Sequence, residues 1–148
     1  MNNVRGKRTP GGGGAEQTMW TLLQAAHVLE DRLEAALSKV DLSGAKLGVL
    51  TELVKAGEPL TLGDLASRIQ CVRSNVTQLV DRLEAQGLVR RVDDPSDRRS
   101  VRAELTREGH ARHAAGAKQM ERIQGEFAAV LPAAERAALS RMLEAVKK

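Results

Sequence analysis

Tyrosine is absent from the 148 residues, and tryptophan, phenylalanine and cysteine occur once each, as Trp20, Phe127 and Cys71. A core without aromatic bulk must be filled by Leu, Val, Ile, Met and Ala, a palette that favours helices, so the fold expected is mostly α. A single thiol cannot close an internal disulfide, and the opening MNNVRGKRTPGGGG carries basic residues but no apolar run that could serve as a signal-peptide core. No stretch approaches the roughly eighteen uninterrupted apolar residues of a membrane span. The expectation is a cytoplasmic protein without membrane attachment. Also missing are a Gly-rich phosphate loop and any Ser, His and Asp set that local sequence would bring together, which argues against an enzyme. His110 and His113 share a helical face but have no clear third ligand, so neither a metal nor another cofactor is implied.

What is present is basic. A formal charge of +4 and a pI near 9.6 suit an anionic partner, nucleic acid or membrane. Residues 1–17 lack periodicity and apolar content and read as a flexible, basic, Gly-rich arm. Residues 18–148 suffice for a single domain. In it, Met19, Leu22, Leu23, Ala26, Leu29, Leu33, Leu37 and Val40 recur at helical spacing. Ser43 can cap a second helix with Leu47, Leu50, Leu53 and Val54 inside, stopped by Gly57 and Pro59, with a turn after it. Thr61 and Asp64 have capping-box spacing, which starts a short third helix running to about Ile69.

A fourth helix places Val72, Val76, Leu79, Val80 and Leu83 on one side and is capped by Gly87. "LVRRV" and "SVRAEL" then read as two short strands around a charged tip. Thr106 begins a long helix striped by Gly116, Met120, Ile123, Phe127 and Val130 and ended by Pro132, and a last helix carries Leu139, Met142, Leu143 and Val146. The local order in the middle of the chain is therefore helix, turn, helix, hairpin.

With its apolar side inward, the fourth helix turns Ser74, Gln78 and Asp81 outward, with Asn75 and Thr77 on the flanks and Arg73 on a shoulder. Such side chains donate and accept hydrogen bonds, as the reading of base edges in a major groove requires. The same face would serve as ordinary solvated surface. Arg98 and Arg99, on the ribbon that follows, are suited to a narrow minor groove, where negative potential concentrates. Asp93, Asp94 and Asp97 could pin those arginines by charge-assisted bonds, or could be plain turn chemistry in Asp-Pro-Ser-Asp. The apolar stripes from Met19 to Val40 and from Gly116 to Val146 exceed what one small core can cover, so a homodimer is expected.

The run "VTQLVDRLEAQGLVRRVDDPSDRRSVRAELTREG" resembles the recognition helix and wing of the MarR (multiple antibiotic resistance regulator) family. The likeness rests on Leu79-Val80-Asp81-Arg82-Leu83-Glu84, Gly87-Leu88-Val89, Asp97-x-Arg99 and Leu105-Thr106-x-x-Gly109. The resemblance implies a winged helix-turn-helix with a small β-hairpin wing at residues 43–105. It implies long N- and C-terminal dimerisation helices at 18–42 and 106–148. It also implies a homodimeric transcriptional regulator of double-stranded DNA, with Arg99 entering the minor groove, Asp97 steadying it, and Asp81 and Arg82 in salt bridges within the reading head. Where Gln78 stands many members carry a basic residue, so the resemblance implies that one phosphate or guanine contact is either missing or replaced here.

The function expected is a repressor that binds a pseudo-palindromic site and is released by a small-molecule or oxidant signal. Members of the family often bind small aromatic or phenolic effectors, and Trp20, His27 and His113 are the candidates to line such a pocket, or else packing residues. Cys71, beside the start of the recognition helix, is either an oxidisable thiol or a small residue filling a helix corner. The rival of a different class is a winged helix that serves as a protein-interaction adaptor, since a fold alone does not fix function.

Overall fold

Side-chain caps set where the helices begin. Ser43 accepts a hydrogen bond from the Lys46 N–H at 3.2 Å and starts α2 (Gly44–Ala56). Thr61 accepts from the Asp64 N–H at 3.1 Å and starts α3 (Leu62–Arg68). Thr106 accepts from the Gly109 N–H at 3.0 Å and starts α5 (Arg107–Val130). Each satisfies a helix-end donor that would otherwise lack a partner. The remaining helices are α1 (Gly13–Ser38), α4 (Arg73–Ala85) and α6 (Ala133–Val146). The computed structural model describes residues 13–71 and 73–148, with the side chain of Arg73 outside that description.

Helix α1 starts at Gly13 rather than Thr18, so residues 13–17 are helical and not part of an arm. The arm's basic residues Arg5, Lys7 and Arg8 lie outside the described residues. The chain divides into two units, one ending at Arg32 and the other running Leu33–Lys148. In the first, Met19, Trp20, Leu23 and Val28 are exposed.

The second unit holds the core. Leu37 and Leu42, Leu47, Val49, Leu50 and Leu53 of α2, Leu65 of α3, and Val76, Val80 and Leu83 of α4 form one buried cluster with Leu88, Val89 and Ala103. Leu47, Leu50 and Leu53 form the inner face of α2 as expected, with Val49 fully buried beside them and Val54 only half-buried.

Three helix ends close by the same device. At the ends of α1, α3 and α4 a residue with left-handed backbone, Asp41 (φ 54°), Gln70 (φ 52°) or Gly87 (φ 73°), bonds its N–H three residues back. The next residue, Leu42, Cys71 or Leu88, bonds five residues back, to Leu37, Ala66 and Leu83 respectively. This is the Schellman closure, which brings an apolar residue after the helix onto one in its last turn. Only one of the three positions is glycine.

The wing is a sheet of three strands, not a bare hairpin. β1 (Leu60–Thr61), where the sequence suggests only a turn, pairs antiparallel with β3 (Asp97–Leu105), which pairs on its other edge with β2 (Val89–Asp94). A two-residue strand cannot display alternation, so periodicity misses it. Thr106 ties α5 to the α4–β2 turn: its hydroxyl donates to the Gly87 carbonyl at 2.6 Å and its N–H to the Leu88 carbonyl at 3.1 Å. Gly109 lies so close that an added Cβ would sit 2.0 Å from the Leu88 oxygen. That contact is the physical content of Leu105-Thr106-x-x-Gly109.

At the far end, Arg136 of α6 donates to the Ala128 and Leu131 carbonyls at 3.2 and 2.6 Å, closing the end of α5. None of α6 is buried. No helix among the described residues is long and apolar enough to cross a membrane.

Candidate nucleic-acid interface

Burial of Val76, Val80 and Leu83 fixes which way α4 faces, and it leaves Ser74, Asn75 and Gln78 exposed on the opposite side, as the rotation of the helix predicts. Thr77 is half-buried at the flank. The side chain of Arg73 lies outside the described residues. The outward surface is thus built from short hydroxyl and amide groups on a helix that a major groove can admit.

Arg98 and Arg99 are carried differently from the expected hairpin tip. The turn itself is Pro95 and Ser96, and the strands run right up to it. Asp94 pairs with Asp97 and the adjacent Asp93 pairs with Val101, so Arg98, Arg99 and Ser100 have no counterpart on β2. The arginines therefore sit on a bulge, which re-aims side chains out of the ladder. Both are exposed.

The aspartates around them do turn chemistry. Asp97 accepts the backbone N–H of Arg99 at 2.9 Å, so it shapes the bulge rather than holding the guanidinium. Asp94, with a side chain only 6% exposed, accepts from the Ser96 N–H at 3.0 Å and the Ser96 hydroxyl at 2.8 Å, and it pairs with Arg102 at 3.3 Å. The Ser96 bonds, chiefly, and then Arg102 hold this carboxyl below the usual carboxylate range. Arg102 also reaches the Pro59 carbonyl at 3.4 Å, which ties the wing to the segment before β1.

A clamp joins wing and helix. Arg91 of β2 pairs with both Asp81 and Glu84 of α4, reaching Glu84 at 2.9 Å, and its N–H donates to the other Glu84 oxygen at 2.9 Å. Both carboxylates are substantially exposed, so each pair is worth only about 0.2–1 kcal/mol, and its main effect is to set the angle between the reading helix and the ribbon. Asp81 is in a salt bridge as the resemblance implied, but Arg82 is not: it is exposed, and Arg91 is the cation that serves. Sequence reading misses Arg91, Arg102 and the clamping role of Glu84, whereas Asp94 performs the turn chemistry named as one of its two readings. The signal available was the i, i+3 spacing of Asp81 and Glu84, two acids on one helix side that call for a cation.

Cys71 is half-buried against the core as the apolar residue that closes α3, with its N–H on the Ala66 carbonyl at 2.9 Å. Trp20 and His27 are exposed, and His27 approaches Glu30 at 3.5 Å. His113 is half-buried between α2 and α5, 3.3 Å from the Thr51 hydroxyl, and burial, with His110 nearby, lowers its pKa. A cavity of about 160 Å³ is walled by Leu53, Pro59 and Leu105 with Glu58, Glu104 and His110. None of Trp20, His27 and His113 lines it.

A model of the MarR family matches residues 40–100. PecS of Dickeya dadantii, an HTH-type transcriptional regulator, is 32% identical over 93 residues, which are 62% of this chain and 56% of PecS. The match thus takes in little more than half of that relative's length. Among solved structures, the transcriptional repressor CouR bound to a 23-mer DNA duplex matches with a TM-score of 0.80 and 27% identity, over 97% of this chain and 100% of that one. AbsC, a MarR family transcriptional regulator from Streptomyces coelicolor, matches with a TM-score of 0.79 and 26% identity, over 90% of this chain and 93% of its own. Three-stranded wing, capped helix-turn-helix and sequence agree: residues 40–100 match the MarR family, and the chain has the winged-helix fold of that family's solved members.

Proposed function

We propose that the protein is a cytoplasmic transcriptional repressor that reads a pseudo-palindromic site in double-stranded DNA as a homodimer. The observation that carries this reading is the joint presentation, within one clamped lobe, of the polar face Ser74, Asn75 and Gln78 and of the bulged pair Arg98 and Arg99. In this assignment Arg73, Ser74, Asn75, Thr77 and Gln78 meet base edges and phosphates of the major groove, and Arg99, with Arg98 beside it, enters the minor groove. The likeness to a repressor bound to a DNA duplex supports it.

A homodimer is supported by apolar side chains without cover. Val130 at the end of α5 is 77% exposed, and Met142 and Val146 of α6 are also open to solvent. Two heads multiply the contacts one lobe makes and impose a defined half-site spacing. Release by a small aromatic or phenolic molecule belongs to the same proposal.

Selection of bound duplexes from a random pool, followed by titration of the selected duplex against salt, tests the proposal. A palindromic site and a steep loss of affinity, with a log-log slope of about −0.9 per neutralised phosphate, are expected. Arg99→Ala weakens binding to every duplex, while Gln78→Ala changes which sequence is preferred, at about 1–3 kcal/mol per lost base contact. A flat salt response with no selected sequence would make the chain a protein-interaction adaptor instead.

A further inference from the structure

The turn between α1 and α2 is an elbow held by side chains from two other elements. Its Schellman closure uses the N–H groups of Asp41 and Leu42, and side-chain donors take the carbonyls of Val40 and Asp41. Arg112, from α5, donates to the Val40 carbonyl at 3.2 Å. Gln86, the first residue after α4, donates its amide N–H to the Asp41 carbonyl at 3.0 Å. The other end of the same amide accepts from Lys46 of α2 at 2.8 Å. Both ends of Gln86 are therefore committed, and a flipped amide would set its NH2 group against the ammonium. On the near side of the elbow, Glu34 accepts the Gly44 N–H at 2.8 Å.

None of these groups lies on the polar face or the bulge. Gln86 is twelve residues beyond Ser74, about 18 Å along a helix, so it cannot share a base contact with it. What bonds at that position can control is direction. A rotation of about 10° at the end of a lever of about 18 Å moves the reading face by about 3 Å, close to the rise of about 3.4 Å between base pairs.

We propose that Gln86 and Arg112 are positioning residues for DNA reading: by holding the two carbonyls of the Val40–Asp41 elbow they fix the angle of α4 against α5, and hence the half-site spacing that the dimer accepts. This rests on the reading of the chain as a dimeric DNA-binding protein. Stability alone does not account for the arrangement. A hydrogen bond between partly exposed groups contributes little net stability, whereas two bonds from separate elements onto consecutive carbonyls remove a hinge.

The test uses the full chain and the selected duplex, with its two half-sites moved apart or together by one and two base pairs. The readout is the ratio of affinities for native and altered spacing. Gln86→Glu keeps the partner of Lys46 but loses the donor to Asp41. It should bind the native duplex more weakly and lower the spacing ratio by about threefold or more, while remaining a dimer by sedimentation. Arg112→Lys keeps the charge and shortens the reach, and it should lower the same ratio, which keeps the test decisive if Gln86→Glu does not fold. Lys46→Met, which spares the elbow bond, should leave the ratio unchanged. A uniform loss across all spacings in both elbow variants would overturn the positioning role while leaving DNA binding intact. A wild-type chain indifferent to every duplex would overturn both.

Discussion

Leu50, Leu65, Val76, Val80, Leu83 and Leu88 of the winged lobe expose nothing to solvent, whereas α6 has no buried residue and leaves Met142 and Val146 60% and 70% exposed. Both segments are amphipathic helices or strands with similar apolar side chains. The difference is that the lobe's elements converge on one another from a single chain, while the apolar side of α6 is covered only in part, with Leu139 and Leu143 half-buried and Met142 and Val146 open. A lobe that completes itself can be a rigid reading device. A helix that does not must obtain its cover from another molecule, which a second copy supplies in the proposed dimer.

The sharpest way to break this contrast is to damage the self-contained side. In Gly109→Ala the new Cβ would lie 2.0 Å from a backbone oxygen and 2.9 Å from Leu105 Cδ2, and backbone cannot rotate away. Loss of about 3 kcal/mol or more, or no folded protein at all, is expected from thermal unfolding. Gly116→Ala is the graded comparison. Its Cβ would meet the ends of the Leu42 and Leu47 side chains at 2.8 and 2.9 Å, groups that can shift, so about 1–3 kcal/mol is expected. Equal losses at both sites would show that the α5 contact with Leu88 is not the rigid one.

The other side of the contrast is tested by charge. Met142→Glu with Val146→Glu places carboxylates on exposed positions, where a lone chain tolerates them and an apolar interface does not. Sedimentation should find monomer at concentrations where the parent chain is a dimer, with circular dichroism of the lobe little changed. A variant pair that still dimerises would remove α6 from the interface.

Local chemistry was legible in the sequence, and tertiary chemistry was not. Ser43, Thr61, Thr106, Gly57 and Gly87 each act on a backbone group within a few residues, so spacing alone exposes them. Asp41 and Gln70 adopt the same left-handed backbone as Gly87 without being glycine, and each is followed by a residue packed on the core, Leu42 or the half-buried Cys71. The polar face of α4 was readable from periodicity. The bulge at Arg98–Ser100 was not, since register depends on the partner strand, and neither was Arg91, whose two acids lie on another element. Asp97 shows the limit of analogy: the expected residue is in place, but it bonds the backbone N–H of Arg99.

The smallest expected effects concern protons, and they separate the two regions by pH. Asp94 in the wing is held below the usual carboxylate range, so its contribution is complete above the unfolded value of about 4 and is lost as pH falls through the lower folded value. His113, where α5 meets α2, is also lowered, by burial and by His110. The fold therefore favours its neutral ring, and that stability is complete above the unfolded value of about 6.5 and declines as pH falls through the folded one. Urea midpoints measured from pH 7.5 to 5 should drop in the parent chain and drop less in His113→Gln, which keeps a partner for Thr51 without a titrating ring. Between pH 5 and 3 a second decline should appear that Asp94→Asn removes. If His113→Gln leaves the upper decline in place, the α2–α5 contact is not where the proton acts, and the division between a wing that senses acid and a helix junction that senses mild acidity fails.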